Sequence, residues 1–260
     1  MRFYRVKVVR RLPHPGQGFT QGLLAEGDTV WESGGQYGMS VLRRYDLGAA
    51  DVAAEAALPP ELFAEGICRV GGSILQLTWR ERVAVRWDAA TLELAEKIRF
   101  NREGWGICAV PVDKGSGVGP DAVDIPVDEV VTSDGSSELV RRDPLTLAPR
   151  EVIHVRCGES RVRWLNDLTW AGGQVWANVL GTTYLAGIDL DTGAVTDVVD
   201  ASAAGERHRH PQMLMNGIAP FGQRGEFILT GKGWRSVRHV RLVQDRNRGQ
   251  AERMLAGPRF

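Results

Sequence analysis

The sequence predicts an all-β fold, a five-bladed β-propeller whose ring is closed by its N-terminal strand. Three observations carry this. First, five segments repeat a polar residue followed, mostly, by Gly and an aliphatic: Phe19-Thr20-Gln21-Gly22-Leu23, Phe63-Ala64-Glu65-Gly66-Ile67, Arg102-Glu103-Gly104-Trp105, Leu165-Asn166-Asp167-Leu168 and Met215-Asn216-Gly217-Ile218. Their polar residues stand at 21, 65, 103, 166 and 216, in steps of 44, 38, 63 and 50, which is the spacing of propeller blades. Second, short strands of alternating polarity follow each repeat, punctuated by Gly and Asp, as a meander requires. Third, the last unit lacks a fourth strand, while residues 2 to 10 form a strand with no partner of their own. If each repeat is the innermost strand of its blade, the five polar side chains face one axis and the glycines let the strands approach it closely.

Taken in order, residues 2 to 10 alternate Phe3, Val6 and Val8 with basic residues, the period-two signature of a half-buried strand. The turn Pro13-His14-Pro15-Gly16 leads to the first repeat, which is followed by strands at 29 to 33 and 41 to 47. The same order recurs at 74 to 79 and 83 to 88, at 130 to 134 and 139 to 143, and at 175 to 179 and 184 to 189. Four third strands end on an aspartate, Asp46, Asp88, Asp143 and Asp189, where Asp caps its own turn. Residues 225 to 230 and 236 to 242 form the last unit; an open ring would leave exposed sheet edges, so residues 2 to 10 are expected to close it. The Gly-, Pro- and Asp-rich stretch at about 111–129 reads as a loop insertion in the third blade and accounts for the long step of 63. His208 and His210 sit between arginines in a polar linker, a solvated loop in preference to a metal site. No long amphipathic helix is evident, and residues 1–260 read as a single domain.

Composition narrows the function. Lys and Arg balance Asp and Glu at 32 each, with no basic block, which argues against nucleic acid or an acidic membrane surface as partner. Cys68, Cys108 and Cys157 are odd in number and lack a CxxC spacing, so they read as reduced, buried thiols. No metal set and no cofactor are implied. The first residues carry no apolar signal core and no run of about 18 apolar residues appears, so a cytoplasmic protein is expected; a monomer is expected as well. Gly-x-Ser-x-Gly and a phosphate-binding loop are both missing, against acyl transfer by a serine and against nucleotide chemistry.

In order along the chain, His14 to Leu23, Gly38-Met39-Ser40-Val41-Leu42-Arg43, Phe63-Ala64-Glu65-Gly66-Ile67, Gln76-Leu77-Thr78-Trp79, Glu103-Gly104-Trp105-Gly106, Ser133-Asp134-Gly135-Ser136, Leu165-Asn166-Asp167-Leu168, Val175-Trp176-Ala177-Asn178-Val179 and Thr230-Gly231-Lys232-Gly233-Trp234 resemble the plant and bacterial type of glutaminyl cyclase, a five-bladed propeller family. The ordered set, running from 14 to 234, is what distinguishes it. The resemblance implies cyclisation of an N-terminal glutaminyl residue of a peptide to pyroglutamate with loss of ammonia, without a catalytic zinc. It implies Glu65 as acid and base, Asn166 and Lys232 as polar catalytic contacts, Gln21 as a substrate contact, and Phe19, Phe63, Trp79 and Trp105 as apolar walls. The family has a second Trp where this chain has Leu180, and Leu-Asn-Glu where it has Leu165-Asn166-Asp167.

One carboxyl can carry both proton transfers of such a cyclisation, since the amine sheds a proton on adding and the departing nitrogen gains one. Phe63 and Trp105 would desolvate Glu65 and lift its pKa; the alternative is a carboxylate that orders water or an ion in a channel. Lys232 is either an oxyanion donor or a solvated strand tip. Trp31, Trp87, Trp164, Trp170 and Trp234 read as inter-blade packing, and Glu103 and Asn216 as ordering channel water. A non-catalytic propeller that binds peptides or proteins through its funnel face is the alternative function.

Overall fold

The computed structural model describes residues 1–112, 126–206 and 213–245, together with Leu255. His208, His210 and most of the expected insertion at 111–129 lie outside the described residues. Strand β1 (Arg2–Pro13) opens the chain. Strands β2 (Thr20–Glu26), β3 (Thr29–Gly34), β4 (Val41–Asp46) and β5 (Ala54–Ala57) form an antiparallel sheet in sequence order. So do β6 (Ala64–Val70), β7 (Ser73–Thr78), β8 (Val83–Asp88) and β9 (Leu94–Arg99), and again β10 (Ile107–Pro111), β11 (Val127–Ser133), β12 (Glu138–Arg142) and β13 (Pro149–His154). A short hairpin follows, β14 (Arg156–Cys157) with β15 (Ser160–Arg161). The remaining strands are β16 (Leu165–Ala171), β17 (Gln174–Val179), β18 (Tyr184–Ile188), β19 (Val195–Asp200), β20 (Met215–Pro220), β21 (Glu226–Gly231) and β22 (Ser236–Asp245). With β1 they make an eight-stranded sheet ordered β16-β17-β18-β19-β1-β22-β21-β20. The fold is all-β; helix among the described residues is limited to two 3₁₀ turns, Pro15–Gln17 and Ser202–Ala204.

Residues 2 to 10 take up the open edge of the last unit, as expected. Strand β1 pairs antiparallel with β22 from Phe3 opposite Asp245 to Pro13 opposite Ser236. It runs three residues further than its alternation suggests, and it also pairs parallel with β19 over residues 2 to 5. Buried Phe3 and Val6 pack into two different core clusters, so a single strand ties two neighbouring units together. At its start the Arg2 guanidinium donates to both oxygens of Asp197, at 2.6 and 2.7 Å.

Among the described residues the apolar core is divided into five clusters, each between successive groups of strands. Trp31 and Leu42 meet Ile74 and Trp87; Leu77 and Ile98 meet Ile107 and Val130; Val131 and Leu139 meet Leu168 and Val175. Trp176 and Leu185 meet Phe227 and Val240, and Leu23 and Val30 meet Ala219 and Ile228, which returns the sequence of contacts to the first unit. Of the tryptophans assigned to packing, Trp31, Trp87, Trp170 and Trp234 sit in these clusters. The turn aspartates are scaffold: Asp88, Asp143 and Asp189 each accept two backbone N–H bonds and a threonine hydroxyl from their own turns. Asp46 departs from this pattern and accepts the Thr29 hydroxyl across the strand pair.

Candidate active site

Strands β2, β6, β10, β16 and β20 pack on one another in that cyclic order. Their approach requires glycine: a Cβ on Gly22 would stand 2.7 Å from the Ile67 nitrogen, one on Gly66 would stand 2.7 Å from the Trp105 oxygen, and one on Gly106 would strike the Asn166 carbonyl. This register corrects the third repeat. The segment equivalent to Gln21-Gly22-Leu23 and Glu65-Gly66-Ile67 is Trp105-Gly106-Ile107, two residues beyond Glu103-Gly104-Trp105. Glu103 therefore lies outside the strand and half-exposed, and the inner positions belong to Gln21, Glu65, Trp105, Asn166 and Asn216. At the fourth unit Asp167 replaces the glycine. Its fully buried Oδ2 accepts the backbone N–H of Leu23 at 3.2 Å and of Ile218 at 2.9 Å, tying three inner strands together.

Glu65 and Gln21 are brought into contact. The Gln21 Nε2 donates to Glu65 Oε1 at 3.2 Å, and Asn216 Nδ2 donates to Gln21 Oε1, also at 3.2 Å. The second bond fixes which end of the Gln21 amide faces the carboxyl, so Asn216 orients Gln21, a role beyond the ordering of water assigned from sequence. Burial pushes the Glu65 carboxyl well above the usual range; Lys232 pulls it down, and Glu81, Asp167 and Glu103 push it up. Lys232 is buried, not a solvated tip: burial lowers its pKa, opposed by Glu65, and its ammonium stands 4.9 Å from the Phe19 ring centroid. The two charges interact through space; among the described residues no ion pair joins them. Asn166 is buried on the inner ring, two strands from Glu65, with Oδ1 unpartnered among protein groups.

Above this ring a half-buried rim is built from a repeated backbone bond. Gly35 N–H donates to the Phe19 carbonyl, Trp79 to Phe63, Leu180 to Trp164 and Lys232 to Leu214, at 2.8–3.0 Å. Phe63 stands edge-on to Trp79 at 5.5 Å and to Tyr37 at 5.2 Å. Glu81 holds that corner, accepting the Tyr37 hydroxyl at 2.7 Å and the Phe63 N–H at 3.3 Å. Trp79 Nε1 donates to Glu103 Oε2 at 3.1 Å, and the Arg80 guanidinium lies 3.9 Å over its ring. Trp105 is half-buried, 6.2 Å from Trp164. Trp164 thus corrects the packing assignment in part, since its half-exposed ring also faces the rim, and it holds φ at +66°, a conformation costly for a bulky residue and concentrated at sites.

A second buried network supports the first repeat. The His14 Nδ1–H donates to the Trp234 carbonyl at 2.7 Å, its Nε2 lies 2.8 Å from Glu32 Oε2, and Thr20 donates to Glu32 Oε1 at 2.8 Å. Burial opposes charge on both groups, yet their mutual attraction wins, holding His14 above and Glu32 below their usual values. The sequence signal was Glu32 itself, a carboxylate inside an apolar strand, which needs a partner. Asp167 Oδ1, Asn178 Nδ2 and Asn216 Oδ1 are also buried and unpartnered, a polar set suited to ordered water. No three His, Cys, Asp or Glu side chains converge as a metal set among the described residues.

A cyclically packed all-β scaffold that holds the desolvated Glu65 carboxyl beneath an aromatic rim defines a class of site suited to acid–base chemistry on a small polar group. The family is fixed by comparison: the chain belongs to the glutamine cyclotransferase family, whose model matches residues 1–242. It is 30% identical over 250 residues to the glutaminyl-peptide cyclotransferase of Arabidopsis thaliana, covering 94% of this chain and 73% of that one. The crystal structure of Myxococcus xanthus glutaminyl cyclase superposes with a TM-score of 0.80 at 30% identity, covering 94% of this chain and 99% of that one.

Proposed function

We propose that this chain is a glutaminyl-peptide cyclotransferase, converting N-terminal glutaminyl residues of peptides to pyroglutamate with release of ammonia. The observation that carries the reading is Glu65: a carboxyl raised by burial and touched by Gln21, on the inner strand of a chain that belongs to this family. We also infer a five-bladed propeller closed by β1, a reading supported by the five core clusters and the cyclic packing of five inner strands.

In this mechanism the substrate's amine attacks its own side-chain carboxamide carbon, so most of the barrier is conformational, and folding the glutamine back against Phe19, Phe63, Trp79 and Trp105 lowers it. Glu65 takes the proton lost by the attacking amine and returns it to the departing nitrogen, which leaves as ammonia. A carboxyl with a pKa nearer neutrality does both better than an ordinary one. The Lys232 ammonium and the Asn166 amide stabilise charge on the carboxamide oxygen in the tetrahedral intermediate. Gln21, oriented by Asn216, holds Glu65 and the substrate's polar end in register. None of these steps uses a metal ion. Incubation of a Gln-initiated dipeptide amide with the protein, with and without EDTA, tests the reading: ammonia and a product 17 mass units lighter, the ammonia lost, are expected in both. Absence of both products overturns the activity, and a metal-reversible loss in EDTA overturns the metal-free chemistry.

A further inference from the structure

We propose that the pocket walled by Trp105 and Trp164 is a subsite for an acidic residue directly following the substrate's glutamine. This rests on the cyclase reading and adds a preference to it. The pocket has a volume of about 400 Å³ and adjoins the site, because Trp105 occupies an inner-ring position and Glu103, also on its wall, accepts the Trp79 indole N–H. A peptide whose first residue is folded back beside Glu65 must send the rest of its chain outward, and the pocket starts at Trp105, whose carbonyl accepts the N–H of Gly66, the residue after Glu65, at 2.7 Å. Two indoles 6.2 Å apart supply an apolar wall for a side-chain stem.

Charge decides the occupant. The wall carries Arg82, Arg102, Arg163, Glu103 and Asp134. Arg102 is committed to Asp134 at 3.1 Å and Glu138 at 2.7 Å, and Glu103 to Trp79 and Arg80. That leaves Arg82 and Arg163, both exposed and neither held by a carboxylate among the described residues. With their partners included, Arg80, Arg82, Arg102 and Arg163 stand against Glu103, Asp134 and Glu138, so the opening carries a net positive charge, and a guanidinium matches a carboxylate in geometry as well as sign. A following Asp or Glu is favoured, and a following Lys is disfavoured by the same two charges.

The test compares kcat/KM for ammonia release from Gln-Glu-amide, Gln-Ala-amide and Gln-Lys-amide, at low and at high salt, with wild type and the double variant R82E/R163E. For exposed pairs the wild type is expected to prefer Gln-Glu-amide over Gln-Lys-amide by roughly three- to tenfold, mostly in KM, with the ratio falling toward unity in high salt. The double variant inverts the ratio, with thermal unfolding showing that it is folded. Equal values for the three peptides in wild type, or a preference that survives charge reversal, overturns the subsite while leaving the cyclase reading intact. No turnover of any of the three defeats the cyclase reading, and the subsite with it.

Discussion

At the scale of single residues, the balance of forces on Glu65 makes a pH prediction with a definite sign. Burial raises its pKa and Lys232 is the group that lowers it. If ionised Glu65 is the base, the acid limb of kcat/KM lies above the range of an ordinary carboxylate, and activity falls as pH drops through it. Lys232→Ala removes the lowering charge, so the limb moves to higher pH. The rate at its plateau also falls by about 10²- to 10³-fold if the ammonium contacts the oxyanion directly. A pH–rate profile of the two proteins checks both; a limb that stays put or moves down contradicts the coupling. Glu65 was legible in the sequence because its segment repeats, and its partner Gln21 stood out for the same reason. Glu103 misled because Glu103-Gly104-Trp105-Gly106-Ile107 contains two overlapping copies of the pattern, and the close packing of Gly106 on Asn166, with Ile107 paired to Thr132, decides between them.

At the scale of elements, the turns between third and fourth strands are small, self-contained devices. The Asp143 carboxylate accepts N–H bonds from Leu145 and Thr146, the Thr146 hydroxyl and an Arg150 guanidinium, and the Thr146 bond with its companions holds its pKa at about 2. Its folded value is depressed, so it contributes stability above an unfolded pKa of about 4 and loses it as pH falls toward 2. Asp143→Ala is expected to cost about 0.5–1 kcal/mol at pH 7, a figure kept low by its exposure. Thermal unfolding of both proteins at pH 7 and near pH 2.5 checks this: the gap in Tm should narrow in acid, and a constant gap contradicts the assignment. These turns were readable from local sequence, since Asp–x–x–Thr closes on itself. The His14–Glu32 pair and the Trp164 rim position were not, because each depends on which strands become neighbours.

At the scale of the whole molecule, β1 does more than complete the last unit. It bonds to β22 along its length and to β19 at its start, so the first residues of the chain lock to the last described strand. Removing residues 2–10 uncovers the edges of both β19 and β22, together with the apolar ground under Phe3 and Val6. Exposed edges template pairing between chains. The truncated protein is expected to lose its single cooperative unfolding transition and to aggregate well below the wild-type Tm, monitored by light scattering during a thermal ramp. A soluble truncation with unchanged Tm contradicts the closure. The repeat pattern made the all-β fold and its antiparallel sheets legible over nearly the whole chain, and the orphan strand pointed to its own partner. What it could not give was the parallel pairing with β19, which involves no sequence signal beyond a strand long enough to reach.

The central claim is that one buried carboxyl carries the proton transfers, and Glu65→Gln tests it most directly. The amide keeps the shape and the neighbours of the carboxyl and cannot shuttle a proton. Because the folded pKa of Glu65 is raised, the wild type loses stability as pH rises above the unfolded carboxylate value, so the variant should be at least as stable at pH 7. Steady-state cyclisation of a Gln-dipeptide amide by both proteins, with thermal unfolding in parallel, is the measurement. A loss in kcat of about 10²- to 10⁴-fold with an undiminished Tm is the predicted result, and equal turnover by the two proteins would remove Glu65 from the mechanism.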